Sequence, residues 1–146
     1  MYLNILVPID SSPCSENAVH LAVRLARAWG SHLSLVHVLT DTLPEHRATA
    51  QALLERHAAC ARHRPRLLLE QFEQSVAYTL AKLAERESAE LIVIGTHAHA
   101  KLERQAIGSV AHELAVLAQT PVLIVPAHFR KYGFEARWAH VAPGGL

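Results

Sequence analysis

Apolar positions along the chain alternate between two rhythms. Residues 3–9 (LNILVPI) are almost continuously apolar, as in a strand covered on both faces. After Asp10, Ser12 stands where a helix N-cap would lie and Pro13 at the first helical position. Ala18, Leu21, Ala22, Leu25, Ala26 and Trp29 then recur at helical spacing, with Asn17, His20, Arg24 and Arg27 on the other side. Gly30 stands where a helix-ending glycine would. The rhythms repeat. HLSLVHVL (32–39) predicts a second strand, and Ala50, Leu53, Leu54, His57, Ala58 and Ala61 predict a helix from about Pro44 to His63, stopped by Pro65. RLLLEQF (66–72) predicts a third strand and Val76, Leu80, Leu83 and Ala84 a third helix. LIVI (91–94) reads as a short buried strand. Ser109 can cap a fourth helix carrying Val110, Leu114, Leu117 and Ala118, and VLIV (122–125) follows Pro121 as the fifth strand. Regular strand–helix alternation with two-sided apolar strands predicts an α/β fold: an open five-stranded parallel sheet with helices on both faces.

Composition narrows the setting. A length of 146 residues fits one core, and 51% hydrophobic residues can fill it. A net charge of +1 argues against nucleic acid or an anionic membrane as the main partner. No apolar run nears the ~20 residues of a membrane span. MYLNILVPID has no basic leader region or small-residue cleavage site, so it reads as mature structure, with the cytoplasm as the expected compartment. Cys14 and Cys60 lie far apart and outside any CxxC, and a cytosolic chain would keep them reduced. Residues 127–146 break the rhythm yet hold Phe129, Tyr132, Phe134 and Trp138, four of the eight aromatics. Such a tail is expected to dock on its own domain or on a second subunit, because solvated tails are poor in aromatics.

In an open parallel sheet, ligands bind beyond the carboxyl ends of the strands, where the crossovers change direction. Asp10 follows the first strand, Gly95 and Thr96 follow the fourth, and Gly108-Ser109-Val110 open the fourth helix. Helix-start amides favour an anion, and an adjacent glycine lets a phosphate approach. Ser109 can cap the helix and donate to a phosphate oxygen. A facing carboxylate can accept from ribose hydroxyls or help hold Mg²⁺. Each feature also has an ordinary reading, as a turn residue, a strand-end turn or a plain helix start. The site is no P-loop, since GxxxxGK[ST] is absent, and no GxGxxG follows the first strand.

The chain resembles the universal stress protein family. VPIDSSPCSENAV matches that family's first strand running into an Asp and a Ser-rich helix start. The family's G-x2-G-x9-G-[ST] signature is matched in spacing by Gly95, Ala98 and Gly108-Ser109, with PVLIVP downstream. The resemblance covers residues 1–126, leaving 127–146 as an extension. It implies a Rossmann-like sheet of the adenine nucleotide alpha hydrolase type and a homodimer formed through the last strand. It also implies ATP, with Mg²⁺, as the ligand of many members. Carried over by position, Pro8 and Asp10 would face the ribose and phosphates, and Val38 would meet adenine through its backbone. Gly95, Thr96, Ala98, Gly108, Ser109 and Val110 would surround the phosphates.

Two departures stand in the signature loop. Ala98 replaces a glycine; where positive φ is required, alanine costs on the order of 1 kcal/mol. Restoring the glycine (Ala98→Gly) is therefore expected to tighten ATP binding, as read by calorimetry. His97 and His99 form an H-x-H pair that, with His112, offers weak candidates for Zn²⁺. No GxSxG, HExxH or paired nucleophile and base appears. The expected function is a stress-response regulatory protein using ATP as a switch. The alternatives are a nucleotide-free dimeric interaction module and a slow ATPase.

Overall fold

The predicted strands and helices all form, in the predicted order. The computed structural model describes residues 4–96 and 108–127. Its elements are β1 (Asn4–Pro8), α1 (Pro13–Trp29), β2 (His32–Leu39), α2 (Pro44–Ala58), β3 (Arg66–Gln71), α3 (Val76–Arg86), β4 (Leu91–Gly95), α4 (Ser109–Leu117) and β5 (Val122–Val125). The strands make one five-stranded parallel sheet in the order β3-β2-β1-β4-β5. The chain winds outward from β1 to β3, then returns to the other side of β1 with β4. The carboxyl ends of β1 and β4 therefore flank the point where the winding reverses, which is where open parallel sheets bind ligands.

Strand alternation sends successive side chains to opposite layers. Ile5, Val7, Leu33, Leu35, Leu91 and Val93 pack with α1 and α2 on one face. Leu6, Val36, Val38, Ile92 and Ile94 pack with α3 and α4 on the other. Most of these side chains are almost wholly buried, which explains why the strands read as unbroken apolar runs.

Local chemistry adjusts several expected boundaries and faces. Gly30 ends α1 at φ 67°, donating its N–H to the Ala26 carbonyl, as its position predicts. Ser12 occupies the N-cap of α1 but its side chain makes no capping bond. Asn17, expected on the polar side, is buried and donates to the Ala127 carbonyl at 3.4 Å. The second helix ends at Ala58 rather than His63. Its last turn tightens through Cys60 N–H to the His57 carbonyl and Ala61 N–H to the Ala58 carbonyl. Beyond Ala61 no apolar residue extends the stripe, and Pro65 favours an extended residue before it. The fourth helix is capped by Gly108, not Ser109: Gly108 has non-helical ψ 148° and its carbonyl accepts from His112 N–H at 2.9 Å. Leu117, counted in the buried stripe, is 45% exposed.

Ser75 caps α3 by accepting from Tyr78 N–H at 3.0 Å, and its hydroxyl donates to Glu113 of α4, also at 3.0 Å. Among the described residues no helix is long and apolar enough to cross a membrane. The tail's Phe129, Tyr132, Phe134 and Trp138 lie outside the described residues.

Candidate functional site

A cavity of ≈ 220 Å³ opens at the carboxyl ends of β1, β2 and β4. Pro8, Asp10, Val38, Gly95, Thr96 and Val110 all line it, so the structure gathers six of the sequence-selected residues into one cleft. Gly108 and Ser109 do not line the cavity; they open α4 immediately before Val110. Ala98, His97 and His99 lie outside the described residues.

Asp10 is held by a small network at the β1–α1 junction. Its Oδ1 accepts from Ser12 N–H and from the Ser15 hydroxyl, each at 2.8 Å. Its own N–H donates to Ser15 Oγ, also at 2.8 Å. Ser15 is buried, so it fixes the carboxylate while Asp10 itself stays exposed at the cleft mouth. The sequence reading missed Ser15; its signal is a serine five residues after the Asp, in the first turn of the predicted helix.

Gly95 has a structural reason beyond any ligand. A Cβ built there would stand 2.4 Å from the Cys14 carbonyl oxygen and 2.7 Å from its carbon. The first turn of α1 rests directly on the end of β4, and only glycine permits that approach. Thr96 follows, with its N–H donating to the Val125 carbonyl at 3.0 Å. Its Oγ1 is buried and meets no hydrogen-bond partner among the described residues. Such orphaned hydroxyls are uncommon and call for an explanation.

His37 also lines the cleft and was not singled out from sequence. Its Nδ1 lies 2.7 Å from the Ile9 carbonyl. A carbonyl only accepts, so Nδ1 is the donor in this bond. The signal was a break in alternation, since Leu33 and Leu35 precede it on the same face. His37 and Asp10 also border an adjoining cavity of ≈ 280 Å³ that includes Asp41 and His46. The Leu43 amide, then the His46 ring at 2.6 Å, hold the half-buried Asp41 carboxyl below its ordinary range.

The cleft walls are apolar, with Val36, Val38, Leu80 and Ile94 presenting a surface suited to a flat ring. At the mouth lie the exposed Asp10, Thr96 and the start of α4. The first-turn amides of a helix have no intrahelical acceptor, and α4 has no side-chain cap. An apolar slot beside convergent polar groups is the usual form of a small-molecule site. Among the described residues no group of three or more His, Cys, Asp or Glu is arranged to hold a metal ion.

The sequence matches the universal stress protein family over residues 1–126. It is 32% identical over 133 residues to a universal stress protein of Mycolicibacterium smegmatis, covering 84% of this chain and 45% of that one. The chain thus spans less than half of that relative's length. A solved structure of a family protein from Burkholderia pseudomallei is 29% identical, with a TM-score of 0.71 and coverage of 86% of this chain and 97% of that one. Another universal stress protein, solved in complex with cAMP, is 25% identical with a TM-score of 0.68 over 86% and 97% of the two chains. With its parallel sheet, its winding reversal and the cleft placed there, this chain belongs to the universal stress protein family.

Proposed function

We propose that the chain binds an adenine nucleotide in the cleft between β1, β2 and β4 and uses it as a switch in a stress response. The observation that carries this reading is an apolar-walled cleft at the winding reversal, beside the start of α4 and lined by Thr96, whose buried hydroxyl meets no partner among the described residues. The cAMP complex of a family member supports an adenine-containing ligand. A volume of ≈ 220 Å³ is below the ~300–1,000 Å³ that encloses whole ligands, which suits a base and sugar held inside with the phosphates outside. Val36, Val38 and Leu80 would cover the base, with the Val38 backbone meeting its edge. Asp10 would accept from ribose hydroxyls. Gly108, Ser109 and Val110 would offer amides to the phosphates, and Ala98 would stand against them in the loop. With ATP as the ligand, Mg²⁺ would bridge the phosphates and need only one protein carboxylate, for which Asp10 is suited.

Binding energy that differs between two states of the chain would shift their populations and alter a surface read by partners. The same reading includes a homodimer. Among the described residues β5 is an edge strand, and Val116 and Leu117 of α4 and Leu123 of β5 are exposed at 71%, 45% and 37%. Pairing through that edge would cover them and satisfy its open backbone groups.

Mass spectrometry of the small molecules released from freshly purified protein tests the nucleotide reading; recovery of an adenine nucleotide at near-stoichiometric level is expected. Thr96→Val tests the site more sharply. Valine keeps the shape and removes an orphaned hydroxyl, so unfolding stability should be unchanged or raised by up to ~1–3 kcal/mol. ATP affinity should fall about tenfold, or ~1.4 kcal/mol. A variant that binds ATP as the parent does would show that the hydroxyl serves no nucleotide.

A further inference from the structure

The opposite end of the sheet holds a larger cavity, ≈ 450 Å³, bounded by the amino ends of β1 and β2, the end of α1 and the α2–β3 loop. We propose that it is a second binding site, for a small phosphorylated molecule no larger than a mononucleotide, gripped by Arg27 and Arg62. The proposal is independent of the nucleotide reading, because the two cavities lie at opposite ends of the strands and share no lining residue.

Charge is the first argument. Four arginines line the cavity, Arg27, Arg62, Arg64 and Arg66, against one carboxylate, Glu87. Two are already engaged. Arg64 makes a two-pronged bond to Glu55 at 2.9 and 3.1 Å, and Arg66 pairs with Glu87. No ion pair or hydrogen bond among the described residues involves the side chain of Arg27 or Arg62. Helix capping does not account for them. The Ala26 carbonyl at the end of α1 already accepts from the Gly30 and Ser31 amides. At the end of α2, the Glu55, His57 and Ala58 carbonyls accept from Ala59, Cys60 and Ala61.

Shape is the second argument. The volume lies within the ~300–1,000 Å³ typical of small-molecule sites. Ile5, Leu6 and Leu33 form an apolar floor, in which a guanidinium–phosphate contact is stronger than on an open surface. Buried Pro65 and the carboxylate-bound Arg64 anchor the loop that carries Arg62, so little ordering is needed on binding. A planar guanidinium matches phosphate oxygens two at a time. Two unengaged arginines in a concavity suit one or two phosphate groups. An extended nucleic-acid backbone would need a longer basic stripe.

The test is titration of the full chain with inorganic pyrophosphate, and separately with fructose 1,6-bisphosphate, at about 150 mM salt, where screening acts beyond ~8 Å. Amide NMR shifts are expected at residues 31–34 and 61–66, and ATP should shift a different set. The double variant R27A/R62A should bind both probes at least about tenfold more weakly. Its melting temperature should match the parent's, because both side chains are exposed. R27K/R62K keeps the charge without the fork and should fall between. Shifts confined to residues 95–96 and 108–111 would overturn the proposal, as would a double variant that binds like the parent. A short DNA duplex that binds the same amides more tightly than either probe would overturn the small-molecule assignment.

Discussion

Gly95→Ala is expected to damage stability and nucleotide binding together. The added methyl would meet Cys14 backbone at 2.4 and 2.7 Å and its Cβ at 2.8 Å, so no side-chain rotation can relieve it. Either α1 lifts from the end of β4 or the strand end shifts. Overpacking of this kind costs ~1–3 kcal/mol and sometimes more. For a domain of this size that is a fall in melting temperature of roughly 3–10 °C. The shift would also carry Asp10, whose position depends on Ser15 in the same turn of α1. ATP affinity should therefore fall at least about tenfold. Gly30→Ala is the informative contrast. Its Cβ would meet nothing within 4 Å, and only its φ of +67° resists substitution. That change should cost about 1 kcal/mol and leave ATP binding intact. Denaturant melts and calorimetry on both variants separate a clash at the site from simple backbone strain. Equal stability losses would refute the account of Gly95.

Leu80→Ala carries the second large effect. Leu80 is 0% exposed, packs in the α3–α4 layer, and lines the cleft. Truncating a buried leucine removes its transfer energy and leaves a void, at ~2–5 kcal/mol. Leu114→Ala should cost about as much, since Leu114 is equally buried in the same layer. Leu114 does not border the cleft. Only Leu80→Ala should therefore weaken ATP binding by more than a few-fold when both variants are measured well below their melting temperatures. Equal losses of affinity would mean that Leu80 acts through global stability rather than as a wall of the site.

Strands buried on both faces and stripes at helical spacing leave little ambiguity, so the element order and sheet class were legible from residues such as Ile5–Val7 and Ala18–Ala22. What the periodicity misplaced were details decided by tertiary contacts. Asn17 sits on the polar side of α1, yet it is buried with its amide donating to the Ala127 carbonyl. His63 belongs to a helical pattern that the chain abandons in turning towards Pro65. The cleft was legible where chemistry is exposed in the sequence, at Asp10, Thr96 and Val110. Its walls were not. Leu80, Val36 and Ile94 look like any other core residue, and only the winding reversal places them along the cleft. Ser15 and His37 were missed for a related reason, because their roles are hydrogen bonds to atoms that only the folded junction brings within reach. Gly95 was selected as a phosphate neighbour, but the contact that demands it is with the backbone of Cys14.

α4 is nine residues long, so it measures about 14 Å from end to end. Its first residues stand at the mouth of the cleft, and its last turn carries the exposed Val116 and Leu117, next in sequence to β5, which forms the sheet edge among the described residues. A rigid rod joining the two places makes them thermodynamically conjugate under the proposed pairing. Whatever factor nucleotide applies to self-association, self-association must return to nucleotide affinity. The strength of nucleotide binding would then report protein concentration, and the chain would act as a gauge of its own abundance.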